Sequence, residues 1–283
     1  MKKFTLPKEI DEQEISDFIQ DKNGDIKVVL TNSINIIKSK IGIYQTNKTS
    51  FHTIPKTNHV KGLHDALLVC YSSKTKRFLE YLREIKENTP EEYRNRCPYC
   101  GIGESDTVDH ILPKDVFPEY SFLPLNLIYV CSRCNTKKSD DYQEQQKRLF
   151  INPYIDDFLN TEFFEVNLDI ANSEPYINYS VALNYEKVHN KKFEDIIDMH
   201  YTRLDLKNRI ETRMRTLIKE NYKRVIKEID RGNSIEDIKQ IFVGQAEDDK
   251  EVYGVNHYKT AISRAFGSSN YISDLYQFLE QKG

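Results

Sequence analysis

Two C-x-x-C pairs, Cys97-Pro-Tyr-Cys100 and Cys131-Ser-Arg-Cys134, lie thirty residues apart in a chain of 283. No other feature constrains the fold as tightly. Each pair can present two thiolates to one ion from a tight knuckle, and two knuckles complete a tetrahedral four-cysteine zinc site. Four thiolates leave no open position, so such a zinc holds structure and does no chemistry. The competing reading is two unrelated, redox-active pairs. The first ten residues carry three lysines, Lys2, Lys3 and Lys8, with no apolar run behind them, which speaks against a signal peptide and for a cytoplasmic protein whose thiols stay reduced. Paired thiols in that setting favour zinc. The fifth cysteine, Cys70, falls on the apolar face of a helical stretch and reads as core.

Composition narrows the rest. Hydrophobic residues at 39% and charged residues at 30% suit a globular chain long enough to bury a core. The longest apolar runs, such as Leu67 to Tyr71, are too short to span a bilayer. A net charge of −3 counts against general coating of nucleic acid. Any such contact needs a local basic patch or a partner.

The interval between the knuckles carries the sharper signal. Val108-Asp109-His110-Ile111-Leu112-Pro113 joins a β-prone run to a loop, and Asn126-Leu127-Ile128-Tyr129-Val130 is a second run leading into the second knuckle. Cys134-Asn135-Thr136-Lys137-Lys138-Ser139-Asp140 then opens a polar helix expected to reach about Leu149. Strand, loop, strand, helix in this order resembles the ββα-metal element of HNH endonucleases in its zinc-bearing form, with C-x-x-C, D-H-x-x-P, N-L, C-x-x-C-N and K in sequence. The resemblance covers about 45 of the 283 residues. Its last position, often His, is Asn135 here, and the Gly-Gly that often follows the loop is replaced by Phe117-Pro-Glu-Tyr120.

The chemistry explains the residue types. Hydrolysing a phosphodiester needs an activated water, a Lewis acid on the phosphate and stabilisation of the leaving oxygen. His110 fits as general base, because neutral imidazole takes a proton near pH 7. A rate rising through the ordinary histidine pKa is the matching expectation. Asp109 and the side-chain carbonyl of Asn135 are hard oxygen donors for Mg2+ or Mn2+. By resemblance, Asn126 orients the His-bearing loop without touching metal. Lys138, three residues after Asn135, is expected to grip phosphate, with Lys114, Arg133 and Lys137 as further nucleic-acid contacts.

These readings give an α+β protein, a ββα-metal HNH core with four-cysteine zinc knuckles embedded in a largely helical chain. Residues 1–60 form an N-terminal region of uncertain structure, helical from 7 to 20, ambiguous between strand and helix over 25–46, and a polar loop over 45–62. A helical lead-in occupies 61–96, including a short helix capped by Thr89. The nuclease core spans 97–150, a β-hairpin extension 151–185, and a helical region 186–283, with Glu247-Asp248-Asp249 read as a loop. On the helix expected over 204–231, Arg215, Lys219, Lys223, Lys227 and Arg231 recur at four-residue steps. A solvated face is the usual reading of such a run, and a phosphate-contacting ridge the alternative. His64-Asp65 is a weak echo of an HD-type phosphohydrolase and lacks helical partners, since His52 and His59 fall in the polar loop.

The expected activity is endonucleolytic hydrolysis of DNA, with RNA left open as substrate. Asn152-Pro153 ahead of the hairpin resembles HNH proteins of bacterial anti-phage systems. That resemblance implies the nuclease component of a defence or restriction assembly, with a partner protein such as an ATPase. The alternative from another class is an inactive zinc-bearing nucleic-acid-binding or scaffold subunit.

Overall fold

The computed structural model describes residues 1–282 and divides the chain into two compact units. One comprises Phe4–Tyr99 and Gly103–Asp156, and the other Met1–Lys3, Cys100–Ile102 and the chain from Asp157 onward.

The first unit opens with α1 (Glu12–Gln20), α2 (Gly24–Asn32) and α3 (Ile34–Thr46), followed by α4 (Lys61–Ser72) and α5 (Lys76–Glu87). Helix α1 starts at Glu12, several residues later than Pro7 suggests, because Asp11 and Glu14 form a capping box. Its buried face, Ile15, Phe18 and Ile19, follows helical spacing. The ambiguous stretch 25–46 is helical throughout α2 and α3. After α5 the expected capped helix is only a 3-10 turn at Glu91–Tyr93, and the Thr89 hydroxyl donates back to Ile85 O instead.

These helices pack around the segment that carries the motif. Phe18 stacks on Phe122 with centroids 4.3 Å apart, and the Ser121 hydroxyl donates to Leu67 O at 2.8 Å. Strands β1 (Thr107–His110) and β2 (Leu127–Val130) pair antiparallel, with Thr107 opposite Val130 and His110 opposite Leu127. Helix α6 (Ser132–Lys138) follows at once, its first amide Ser132 N donating to Asp106 Oδ1 at 2.8 Å. It stops far short of Leu149, because Ser139 adopts φ +46° and turns the chain out of the helix. The residues beyond form the small hairpin β3 (Gln143–Glu144) and β4 (Lys147–Arg148).

The second unit holds the hairpin β5 (Phe164–Asp169) and β6 (Asn178–Leu183), paired antiparallel from Phe164 opposite Leu183 to Asp169 opposite Asn178. Then come α7 (Lys191–Arg203), α8 (Leu206–Asp230), α9 (Ile235–Tyr253), α10 (Tyr258–Ser268) and α11 (Tyr271–Lys282). The Ser234 side chain caps α9 by accepting from Asp237 N. Glu247-Asp248-Asp249 lies within α9 and is not a loop; Lys250 pairs with Glu247 one turn earlier. No helix among the described residues is long and apolar enough to cross a membrane.

Candidate active site and metal centre

The four motif cysteines converge. The Sγ atoms of Cys97, Cys100, Cys131 and Cys134 all lie within 4.8 Å of one another and are buried. The donor chemistry fits one tetrahedral ion: four soft thiolates on two short knuckles. Two local features fit it further. Ile102 N donates to Cys100 Sγ at 3.4 Å, as a knuckle amide does toward a metal-bound sulfur. A Cβ on Gly103 would lie 2.7 Å from Cys131 Cβ and 2.9 Å from its Sγ, so only glycine lets the chain pass beside the sulfur.

An open cleft of about 290 Å³ is lined in part by Asp109, His110, Lys114 and Asn135. The His110 Nε2–H donates to Ser121 O at 2.9 Å, which leaves Nδ1 as the ring nitrogen able to accept a proton. The Tyr71 ring meets the imidazole edge-on at 4.5 Å. Burial lowers the His110 pKa to about 4, with the Lys138 and Lys114 charges acting in the same direction. The imidazole is therefore neutral well below the ordinary histidine range, and the expected rate rise near that range is corrected downward.

Asn126 is fully buried and holds the loop from four sides. Its Oδ1 accepts from Leu112 N at 2.7 Å and from the Tyr44 hydroxyl at 3.2 Å, while Nδ2 donates to Leu112 O and Tyr120 O. Asn135 reaches across from α6, its Nδ2 donating to Thr107 Oγ1 at 3.2 Å and Val108 O at 3.3 Å. That orientation leaves its Oδ1 as the acceptor for the cleft.

Asp109 is held by two side chains. Its Oδ2 accepts from the Tyr99 hydroxyl at 2.9 Å, and its Oδ1 lies 3.1 Å from Lys138 Nζ. Lys138 also donates to His110 O at 2.7 Å, and its side chain is only 2% exposed. This overturns the expectation that Lys138 grips phosphate, since the turn at Ser139 and the packing around Asp109 bury its ammonium. Burial pushes the Asp109 carboxyl up from its ordinary value, and Lys138 and Tyr99 pull it the other way. An ionised carboxylate offers about four lone-pair sites, so two hydrogen bonds still leave room for a hard cation. Asp109, Asp115, Asn135 and Asp140 all line the cleft and give its wall oxygen-bearing side chains.

Of the other expected contacts, Arg133 and Lys137 are exposed on α6, and Lys114 lies at the cleft paired with Asp115 at 2.8 Å. The HD-type reading finds no support: His59 pairs with the buried Glu119 at 3.1 Å, and among the described residues the four cysteines are the one group of three or more His, Cys, Asp or Glu side chains gathered closely enough to hold a metal ion. Sequence reasoning missed Tyr71 and Tyr99. Tyr99 sits between the two cysteines of a knuckle, a place ordinarily read as a spacer. Tyr71 comes from α4, and no local pattern ties it to His110.

This ββα unit with its cysteine cluster is the architecture of a nuclease-type domain, and residues 97–141 match the family model of the HNH endonucleases. The segment is an HNH endonuclease domain. Among curated proteins, the chain is 40% identical over 63 residues to protein ea31 of Escherichia phage lambda, covering 22% of this chain and 21% of that protein. It is 35% identical over 77 residues to Septu protein PtuB of Bacillus thuringiensis, covering 25% and 29%. The chain thus spans less than a third of the length of either relative. No solved structure matches.

Proposed function

We propose that the chain is a divalent-metal-dependent HNH endonuclease acting on DNA, with a structural zinc in the Cys97, Cys100, Cys131 and Cys134 cluster. One observation carries this reading: His110 lines the cleft, neutral by burial, with Nε2 committed to Ser121 O and Nδ1 left to take a proton. In the proposed reaction Nδ1 accepts a proton from the attacking water. The carbonyl of Ser121 keeps the ring in the tautomer that allows this, and Tyr71 restricts its tilt. Asn126 holds the intervening loop so that the imidazole and Asn135 face one space.

Asp109 and Asn135 would hold Mg2+ or Mn2+, which when bound supplies Lewis acidity to the phosphate and the leaving oxygen. Lys114, Arg133 and Lys137 are the proposed phosphate contacts, and Lys138 is reassigned to holding Asp109. The likeness to Septu protein PtuB supports a place in a defence assembly with a partner protein.

One observation favours a second reading. The buried Lys138 ammonium already neutralises Asp109, as a metal ion would. On that reading the chain is an inactive zinc-bearing nucleic-acid-binding or scaffold subunit. Supercoiled plasmid incubated with zinc-loaded protein, with Mg2+, Mn2+ or chelator, separates the two. Cleavage that needs the added cation is the expected result, and inert protein under every condition selects the second reading.

A further inference from the structure

Helix α8 is the longest of the second unit, and its two faces differ in character. One face buries Ile210, Met214, Ile218, Tyr222 and Val225. The opposite face carries Arg215, Lys219, Lys223 and Lys227 at four-residue steps, and all four are exposed. At 1.5 Å per residue the row is about 18 Å long.

Other helices temper their cations with acids one turn away. Lys191 on α7 pairs with Glu194 and Asp195, Lys250 on α9 with Glu247, and Arg83 on α5 with Glu87. At the C-terminal end of α8, Arg231 just past the helix pairs with Glu228 at 2.6 Å. The row from Arg215 to Lys227 has no ion pair among the described residues. Glu211 is turned away to accept from Val181 N, and Glu228 is held by Arg231 and Asn233. Glu220 is the exposed acid beside the row. Like charges four apart on a helix destabilise it, so this arrangement works against the helix that carries it. A chain of net charge −3 concentrates there a local positive surface that its composition does not supply overall.

We infer that the row Arg215, Lys219, Lys223 and Lys227 is a docking ridge for the phosphate backbone of a nucleic-acid strand. The inference rests on the nucleic-acid reading of the HNH domain and assigns the second unit its own share of binding. Charge complementarity selects the occupant: duplex DNA carries one charge per about 1.7 Å of axis, so a ridge of this length faces a continuous run of phosphates. Exposed lysines without fixed partners suit a contact to backbone that ignores sequence.

The test uses the full chain and a short fluorescent DNA duplex, with binding followed by anisotropy across a salt series. The triple variant Lys219→Gln, Lys223→Gln and Lys227→Gln should lower the slope of log K against log salt by about 2.7 and weaken binding at low salt by about tenfold or more. A control with three paired surface lysines replaced, Lys8→Gln, Lys38→Gln and Lys48→Gln, matches the charge change and should keep the wild-type slope. Circular dichroism should show the ridge variant as helical as wild type, since removing the repulsion relieves the helix. Unchanged affinity and slope in the ridge variant, with plasmid cleavage retained, removes the ridge and leaves the nuclease reading standing. Wild-type protein that neither binds nor cuts removes both. Poly-glutamate displacing DNA at equal charge concentration, and losing affinity in the ridge variant, marks an acidic polypeptide as the occupant and overturns the proposal.

Discussion

Replacing Lys138 by methionine puts the most unusual part of this site to a test that needs no enzymatic activity. The ammonium lies 3.1 Å from Asp109 Oδ1 and donates to His110 O, with side-chain exposures of 2% and 4% for Lys138 and Asp109. Methionine fills similar space but leaves the carboxylate charged and buried, without its cation and held by the Tyr99 hydroxyl and the His110 backbone. Removing one partner of a buried ion pair costs about 3–5 kcal/mol, because the survivor keeps its desolvation penalty. For a unit of this size that corresponds to a melting temperature lower by roughly 6–20 °C. The loss should shrink as pH falls. Burial already raises the Asp109 pKa, and without Lys138 it rises further, so acid protonates the carboxyl in the folded state and removes the unpaired charge. Adding Asp109→Asn should bring the double variant back to within about 1 kcal/mol of wild type, the behaviour of a pair replaced as a unit. Urea titrations of the four proteins at two pH values measure all of this. A Lys138→Met protein that loses under about 1 kcal/mol, and loses DNA affinity instead, would return Lys138 to the surface role its sequence position suggests.

Cys131→Ser should release the bound zinc and unfold the 97–141 domain, because a structural zinc contributes on the order of 10 kcal/mol of folding free energy in small peptides; metal analysis with an unchanged zinc content would contradict this. Asn126→Ala strips four hydrogen bonds from a fully buried position and should cost about 2–4 kcal/mol, read by urea unfolding, since Leu112 N and two carbonyls lose their partner together. Cleavage rate should be flat from about pH 5.5 to pH 8 and fall as pH drops toward about 4, because only below that range does His110 gain a proton; a rise centred near pH 6.5 would contradict the buried imidazole. A cation bound in the cleft acts on that pKa with the same sign.

The legible and illegible parts of this chain divide along the reach of their interactions. The cysteine spacing, the two strands and the start of α6 follow from residues close in sequence, and Asn126 falls where the motif order puts a loop anchor. The fate of Lys138 was not legible. Its burial depends on Tyr99 and Asp109, some thirty or more residues upstream, and on the left-handed turn at Ser139. A basic residue after a metal-site asparagine reads as a phosphate contact until the fold shows an acid beneath it. The ambiguity over 25–46 has a different cause. Val28, Ile36 and Ile43 are exposed on α2 and α3, so apolar residues lie on both faces and blur the helical period. The acidic run in α9 misleads in the opposite way, because three adjacent acids look like a solvated loop but Lys250 and the helix around them hold them regular.

Single-turnover cleavage of labelled DNA by wild type and His110→Ala, with DNA affinity measured in parallel, decides whether His110 is the base of a nuclease. The wild-type rate should depend on the cation and drop about a hundredfold or more in the variant while affinity stays within about twofold, since a neutral imidazole removes a proton but adds little hold on phosphate. A variant that cuts at the wild-type rate, or wild-type protein that does not cut in the presence of Mg2+ or Mn2+, would contradict that role for His110.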